Sequence, residues 1–86
     1  MTIEELLVKI AELLDAHGIR GWAQSFRQLE SEYKCAPEST KGKIRSVYGG
    51  TGSFNDVILH DRRGIPLRDE NNELDQMRSR LFQLSR

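Results

Sequence analysis

Two apolar stripes of helical period, separated by a three-residue break, govern what this chain can become. Ile3, Leu6, Leu7, Ile10, Leu13 and Leu14 recur at 3, 4, 7 spacing, which places them on one face of an amphipathic helix. Thr2 and Glu5 have the spacing of a capping box, and Gly18 after His17 supplies a left-handed stop. The spacing predicts a helix over 3–16. Ile19, Trp22, Ala23, Phe26, Leu29 and Tyr33 repeat the pattern, with Arg20, Gln24, Arg27, Gln28 and Glu30 turned outward. That predicts a second helix over 20–34. The break at His17-Gly18-Ile19 points to an antiparallel helical hairpin.

The rest of the chain is read as a cover for that hairpin. Ala36-Pro37-Glu38-Ser39 breaks the second helix and opens a third, since proline fits a first turn. Ile44, Val47 and Tyr48 are its apolar stripe, and Gly49-Gly50 its expected end. In Gly49-Gly50-Thr51-Gly52-Ser53, Ser53 and Asp56 sit three apart, as in a helix-start pair, predicting a short turn over Phe54-Asn55-Asp56. Val57-Ile58-Leu59 and Ile65-Pro66-Leu67 flank the turn Asp61-Arg62-Arg63-Gly64. They form either a two-strand ribbon, with Pro66 confined to an edge, or a packed loop. Leu74, Met77, Leu81 and Leu84 predict a last helix over 72–84, capped by Asn71 or Asn72. Its acids lie early and its arginines late, complementing the helix dipole.

The expected fold is therefore mainly α: one domain, 1–86, a small bundle of three or four helices with a short extended segment or β-hairpin near 57–67. The expected core is Leu6, Leu7, Ile10, Leu13, Leu14, Trp22, Phe26, Leu29, Ile44, Val47, Ile58, Leu74, Met77 and Leu81.

Size and charge narrow the function. A chain of 86 residues buries only about 60–65% of its unfolded surface on folding, which leaves little room for an enclosed substrate pocket. Thirteen Lys+Arg balance thirteen Asp+Glu, which argues against nucleic-acid binding, where phosphate contacts dominate affinity. The charge is nonetheless uneven. Residues 1–33 carry three basic and six acidic side chains, and residues 34–68 carry seven and three. A polarised surface of this kind steers a charged partner. The acidic start Met1-Thr2-Ile3-Glu4-Glu5 does not read as a signal peptide, no apolar run approaches the roughly 20 residues of a membrane span, and the single cysteine fits a reducing cytoplasm.

No group in the sequence reads as a catalytic or cofactor site. His17 is expected at a helix end, near the last carbonyls. His60 beside Asp61 has the form of an oriented base, but nothing nearby supplies a nucleophile. Cys35 reads as a small, semi-buried residue, because a helix C-terminus opposes thiolate formation. Two distant histidines and one cysteine give no metal-ligand spacing, and the glycine run lacks the lysine of a phosphate-binding loop. Neither metal nor cofactor is expected. Lys41, Lys43 and Arg45, with Arg62 and Arg63, read as a solvated face or as a basic patch for an acidic partner.

The run from Tyr48 to Leu59 resembles the signature of a family of small, uncharacterised bacterial proteins. That family has a (Phe/Tyr)-Gly-Gly-Met-Gly-Ser-(Phe/Leu)-Asn-Asp core after a helical hairpin, and a closing Asn-x-x-Leu-x-x-(Leu/Met)-Arg helix. Here the closing piece is Asn71 to Arg78, and Thr51 replaces the commonest methionine. The resemblance implies a cytoplasmic immunity protein that binds and neutralises a toxin delivered between competing bacteria. Its expected contacts are Lys41, Lys43, Arg45, Thr51, His60, Arg62 and Arg63. The rival surface is the acidic outer face of the hairpin: Glu12, Asp15, Glu30 and Glu32. The alternative is a regulatory or adaptor domain, with an oligomeric state left open, associating through apolar residues such as Phe82 and Leu84.

Overall fold

The computed structural model describes residues 1–49 and 52–86, so Thr51 lies outside the described residues. Its helices are α1 (Ile3–Ala16), α2 (Arg20–Cys35), α3 (Pro37–Ser46) and α4 (Arg68–Leu84), with a 3-10 turn over Phe54–Asp56. The fold is a small, mainly α bundle, and the described residues contain no sheet.

The hairpin forms where the stripes place it. Thr2 Oγ1 accepts from the Glu5 amide at 3.2 Å, and the Glu5 carboxylate accepts from the Thr2 amide at 3.0 Å, so two otherwise free amides are satisfied together. These bonds hold the Glu5 carboxyl below its ordinary value. At the other end of α1, the Ile19 amide donates to Leu14 O at 2.9 Å and the Gly18 amide to Asp15 O at 3.1 Å. This closure needs the left-handed backbone that Gly18 adopts (φ +80°), a region costly for side chains with a Cβ. It turns the chain so that Ile19 packs against the core.

Ile3, Leu6, Leu7, Ile10, Ala11 and Leu14 from α1 meet Ala23, Phe26 and Leu29 from α2, and Leu74, Met77 and Leu81 of α4 close over them with Ile44, Phe54 and Leu59. Leu13, Trp22 and Val47 are half-buried at the edge of this core. Ile58 is not in it. Ile58 is 51% exposed and its neighbour Leu59 fully buried. In extended backbone adjacent side chains point to opposite faces, so a choice one residue out of phase exchanges inside for outside. Cys35 is exposed rather than semi-buried, because α2 continues through it with the side chain off the apolar stripe.

Three boundaries also differ from the sequence reading. Helix α3 ends at Ser46, before the glycines. The Val47 and Tyr48 amides turn back to Ile44 O and Arg45 O, and Val47 O then accepts from the Phe54 amide at 2.9 Å, which turns the chain out of the helix. Helix α4 starts at Arg68, straight after Leu67, and neither Asn71 nor Asn72 caps it. Ser53 does not cap the 3-10 turn; it is the Asp56 carboxylate that accepts from the loop, from the Gly52 amide at 2.6 Å.

Candidate functional site: a clamped loop and an arginine-lined groove

Three side chains tie the segment from Phe54 to Leu59, and Tyr48, to helix α4. Arg78 lies on the buried stripe of α4, with its guanidinium folded inward. Its Nη1 donates to Phe54 O at 2.7 Å and to Val57 O at 3.1 Å, and its Nη2 pairs with Asp75. The guanidinium carbon stands 5.2 Å from the centre of the Phe54 ring. One α4 arginine therefore adds a second donor to Phe54 O, which already accepts from the Val57 amide at 3.2 Å, and supplies a partner for Val57 O. Seven residues earlier on the same helix, Asn71 receives the Leu59 amide on Oδ1 at 2.7 Å and donates Nδ2 to Leu59 O at 2.9 Å. An amide side chain thus pairs with this backbone as a neighbouring strand would. The third link is the Tyr48 hydroxyl, which donates to Arg78 O at 2.7 Å. Burial pushes the Tyr48 phenol well above its ordinary value, with the Arg78 charge opposing.

Phe54 is the hub of the glycine loop. It is fully buried, with ring centroids 4.6 Å from Phe26, 5.7 Å from Trp22 and 5.6 Å from Tyr48. Tyr48 in turn meets Phe82 edge-on at 5.0 Å. These tilted contacts suit the quadrupoles of the rings. Asn55 Nδ2 donates to Tyr48 O at 3.0 Å, so both ends of the loop are tied.

Beyond the clamp the chain forms a narrow ribbon. A single antiparallel bridge joins His60 to Pro66, with Leu67 N donating to Leu59 O and Asp61 N to Ile65 O, both at 2.9 Å. The bridge does not extend because the Leu59 and Ile65 amides, which would return the flanking bonds, donate instead to Asn71 Oδ1 and Asp61 Oδ1. At the tip, Asp61 Oδ1 accepts from the amides of Arg63 (2.8 Å) and Ile65 (3.0 Å). The carboxylate beside His60 is engaged in building the turn. His60, Arg62, Arg63 and Ile65 are all exposed, and Ile65 is 55% exposed.

An open groove of about 660 Å³ runs between the end of α3 and the second half of α4. Arg45, Tyr48, Arg78, Phe82, Gln83 and Arg86 line it, with Asp75 and Asn55 at its edge. Arg45 donates one nitrogen to Ser85 O, and the Arg86 guanidinium lies 5.8 Å from the centre of the Phe82 ring.

The predicted contact residues do not fall on one patch. Arg45 touches the end of α4, whereas the ribbon carrying His60, Arg62 and Arg63 is fixed to Asn71, roughly 21 Å earlier along that helix at 1.5 Å per residue. Lys41 pairs with Glu38 at 3.5 Å. Lys43 pairs with Glu32 at 2.9 Å across the α2–α3 junction, so one basic candidate neutralises one acidic candidate. Asp15 pairs with Arg27 at 3.0 Å and Glu30 with Lys34 at 3.1 Å, and that contact raises the Lys34 pKa. Glu12 is exposed and takes part in none of the ion pairs among the described residues. Leu84 packs against the core, and Phe82 meets Tyr48 edge-on while also lining the groove.

Arg78, Asn71, Tyr48 and Arg86 carry much of this architecture without being legible as site residues. For Arg78 a signal existed: it stands among Leu74, Met77 and Leu81 on the apolar stripe, where a charge needs buried acceptors.

The fold and site thus define a small helical domain whose glycine loop and ribbon are clamped to its last helix, leaving an arginine-lined groove alongside. The chain belongs to the family described as Domain of unknown function (DUF6966), whose model matches residues 15–67. That span takes in α2, α3, the glycine loop and the ribbon. Neither a curated protein nor a solved structure matches the chain. Among the described residues no three His, Cys, Asp or Glu side chains gather as a metal site, and no helix is long and apolar enough to cross a membrane.

Proposed function

We propose that this chain is a cytoplasmic immunity protein that binds and neutralises a toxin domain, acting by occupancy and without catalysis of its own. The observation that carries the reading is the ribbon. Two large aliphatic side chains, Ile58 and Ile65, are each more than half exposed, and between them Arg62 and Arg63 belong to no ion pair among the described residues. Apolar anchors beside arginines are the composition of protein interfaces. The clamp of Asn71 and Arg78 fixes this segment in advance, which lowers the ordering cost of association. The acidic face of the hairpin is the weaker candidate, because Asp15, Glu30 and Glu32 are matched by local cations.

The test is survival. The toxin domain encoded beside this gene in its source bacterium is expressed with and without this chain. Wild type is expected to restore growth, and Arg62→Glu with Arg63→Glu to abolish the rescue while the chain stays folded. Absence of rescue by wild type would reject the immunity reading. Rescue lost only on Glu12→Lys and Glu30→Lys would move the contact to the hairpin.

A further inference from the structure

The groove beside the glycine loop is a different feature from the ribbon, although both lie along α4. Asp75, Arg78, Ser79, Phe82, Gln83 and Arg86 follow one another at helical spacing and form one wall of the groove. Asn71, which holds the ribbon, is one turn before Asp75 on the same face. The groove therefore lies farther along that helix, toward its C-terminal end.

Its chemistry is cationic with an aromatic floor. Three guanidiniums face one carboxylate across the lining. The Arg78 guanidinium is turned inward onto Phe54 O, Val57 O and Asp75, so the cations available to a partner are Arg45 and Arg86, both exposed. Arg45 uses one nitrogen on Ser85 O, and the planar fork offers further donors suited to two-point contact with a carboxylate. Tyr48 and Phe82 supply apolar surface beneath, and the Asn55 and Gln83 amides supply neutral hydrogen-bonding groups at the edge.

We propose that this groove receives an acidic peptide segment of the partner, with Glu or Asp carboxylates on Arg45 and Arg86 and the intervening chain over Tyr48 and Phe82. The proposal rests on the reading of the chain as a protein-binding module and names the chemistry of that partner. Polynucleotide is the poorer fit. The chain as a whole lacks the positive excess that phosphate contacts require.

The experiment is a titration of the full-length, ¹⁵N-labelled chain with hexaglutamate, followed by amide and guanidinium resonances. Saturable shifts are expected at Asn55, Ser79, Phe82, Gln83 and Arg86, weakening with added salt, and none with hexalysine. Gln83→Glu places a like charge in the groove from an exposed position, and Arg86→Gln removes a cation. Each should weaken hexaglutamate binding by about two- to fivefold, the range of an exposed ion pair, with the remaining spectrum unchanged. Absence of saturable shifts, shifts centred on Arg62 and Arg63, or stronger shifts of the same groove amides by an oligothymidylate would each overturn the proposal. Hexaglutamate binding in the groove together with failed rescue in the survival assay would leave the groove and reject the immunity reading. Rescue without hexaglutamate binding would do the reverse.

Discussion

Arg78→Met gives the sharpest measure of what the glycine loop depends on. Methionine keeps most of the aliphatic volume, so little cavity forms. The substitution removes the donors to Phe54 O and Val57 O. Val57 O is left without a donor, at about 1–3 kcal/mol for an unsatisfied carbonyl, whereas Phe54 O keeps the Val57 amide and loses one bond worth about 0.5–1.5 kcal/mol. The pair with Asp75 adds little, because that carboxylate is 63% exposed and such pairs are worth about 0–1 kcal/mol. Removing the guanidinium also relieves its own burial, which offsets part of the loss. The expected net destabilisation is about 2 kcal/mol, set against roughly 4–13 kcal/mol for a domain of this length. Each kcal/mol moves the melting midpoint of such a domain by about 4–8 °C, so Tm should fall by about 8–16 °C. Urea unfolding followed by Trp22 fluorescence suits the assay, since Trp22 packs against Phe54 at 5.7 Å. Arg78→Lys, which keeps the charge without the fork, should fall between Met and wild type. A Met variant within about 0.5 kcal/mol of wild type, well below the cost of one orphaned carbonyl, would refute the clamp.

Two further outcomes follow from the same contacts. Asn71→Ala removes both hydrogen bonds to Leu59 and should cost about 2–3 kcal/mol, with faster amide exchange at Leu59 and Leu67 than in α1. The Tyr48 phenol, held above its ordinary 10.0 by burial, should make the fold alkali-sensitive. Above about pH 10 the unfolded chain gives up this proton while the folded chain keeps it, so stability falls as pH rises toward the folded value. In urea titrations across that range, Tyr48→Phe should flatten the slope. It should also lower stability at neutral pH by about 1 kcal/mol through the lost bond to Arg78 O.

The helices were legible because their signals are local. The Thr2–Glu5 box, Gly18 and Pro37 act within a turn of themselves, and the stripes of α1 and α2 carry enough apolar positions to fix a face. The region from Tyr48 to Leu67 was not, because its geometry is set from elsewhere. No local pattern tells that Asn71 will pair with Leu59 backbone, and the place of Arg78 on the apolar stripe does not tell which carbonyls it will meet. Those contacts start α4 four residues before the predicted position, and the Leu59 pairing fixes which of Ile58 and Leu59 faces in. The fold also redistributes the charges. Lys43 and Glu32 lie eleven residues apart and were assigned to rival surfaces, but the turn at Ala36-Pro37 folds them into an ion pair. Counts along the chain describe a partner-facing surface only after such pairs are removed.

The two proposals together place partner contacts at both the ribbon and the groove, roughly 21 Å apart along α4. Hydrogen–deuterium exchange of the chain alone and bound to its rescued toxin domain tests this directly. The account predicts slower exchange on binding across residues 57–67 and 79–86, with α1 unchanged. Protection confined to the outer face of α1 and α2, around Glu12 and Glu30, would contradict it.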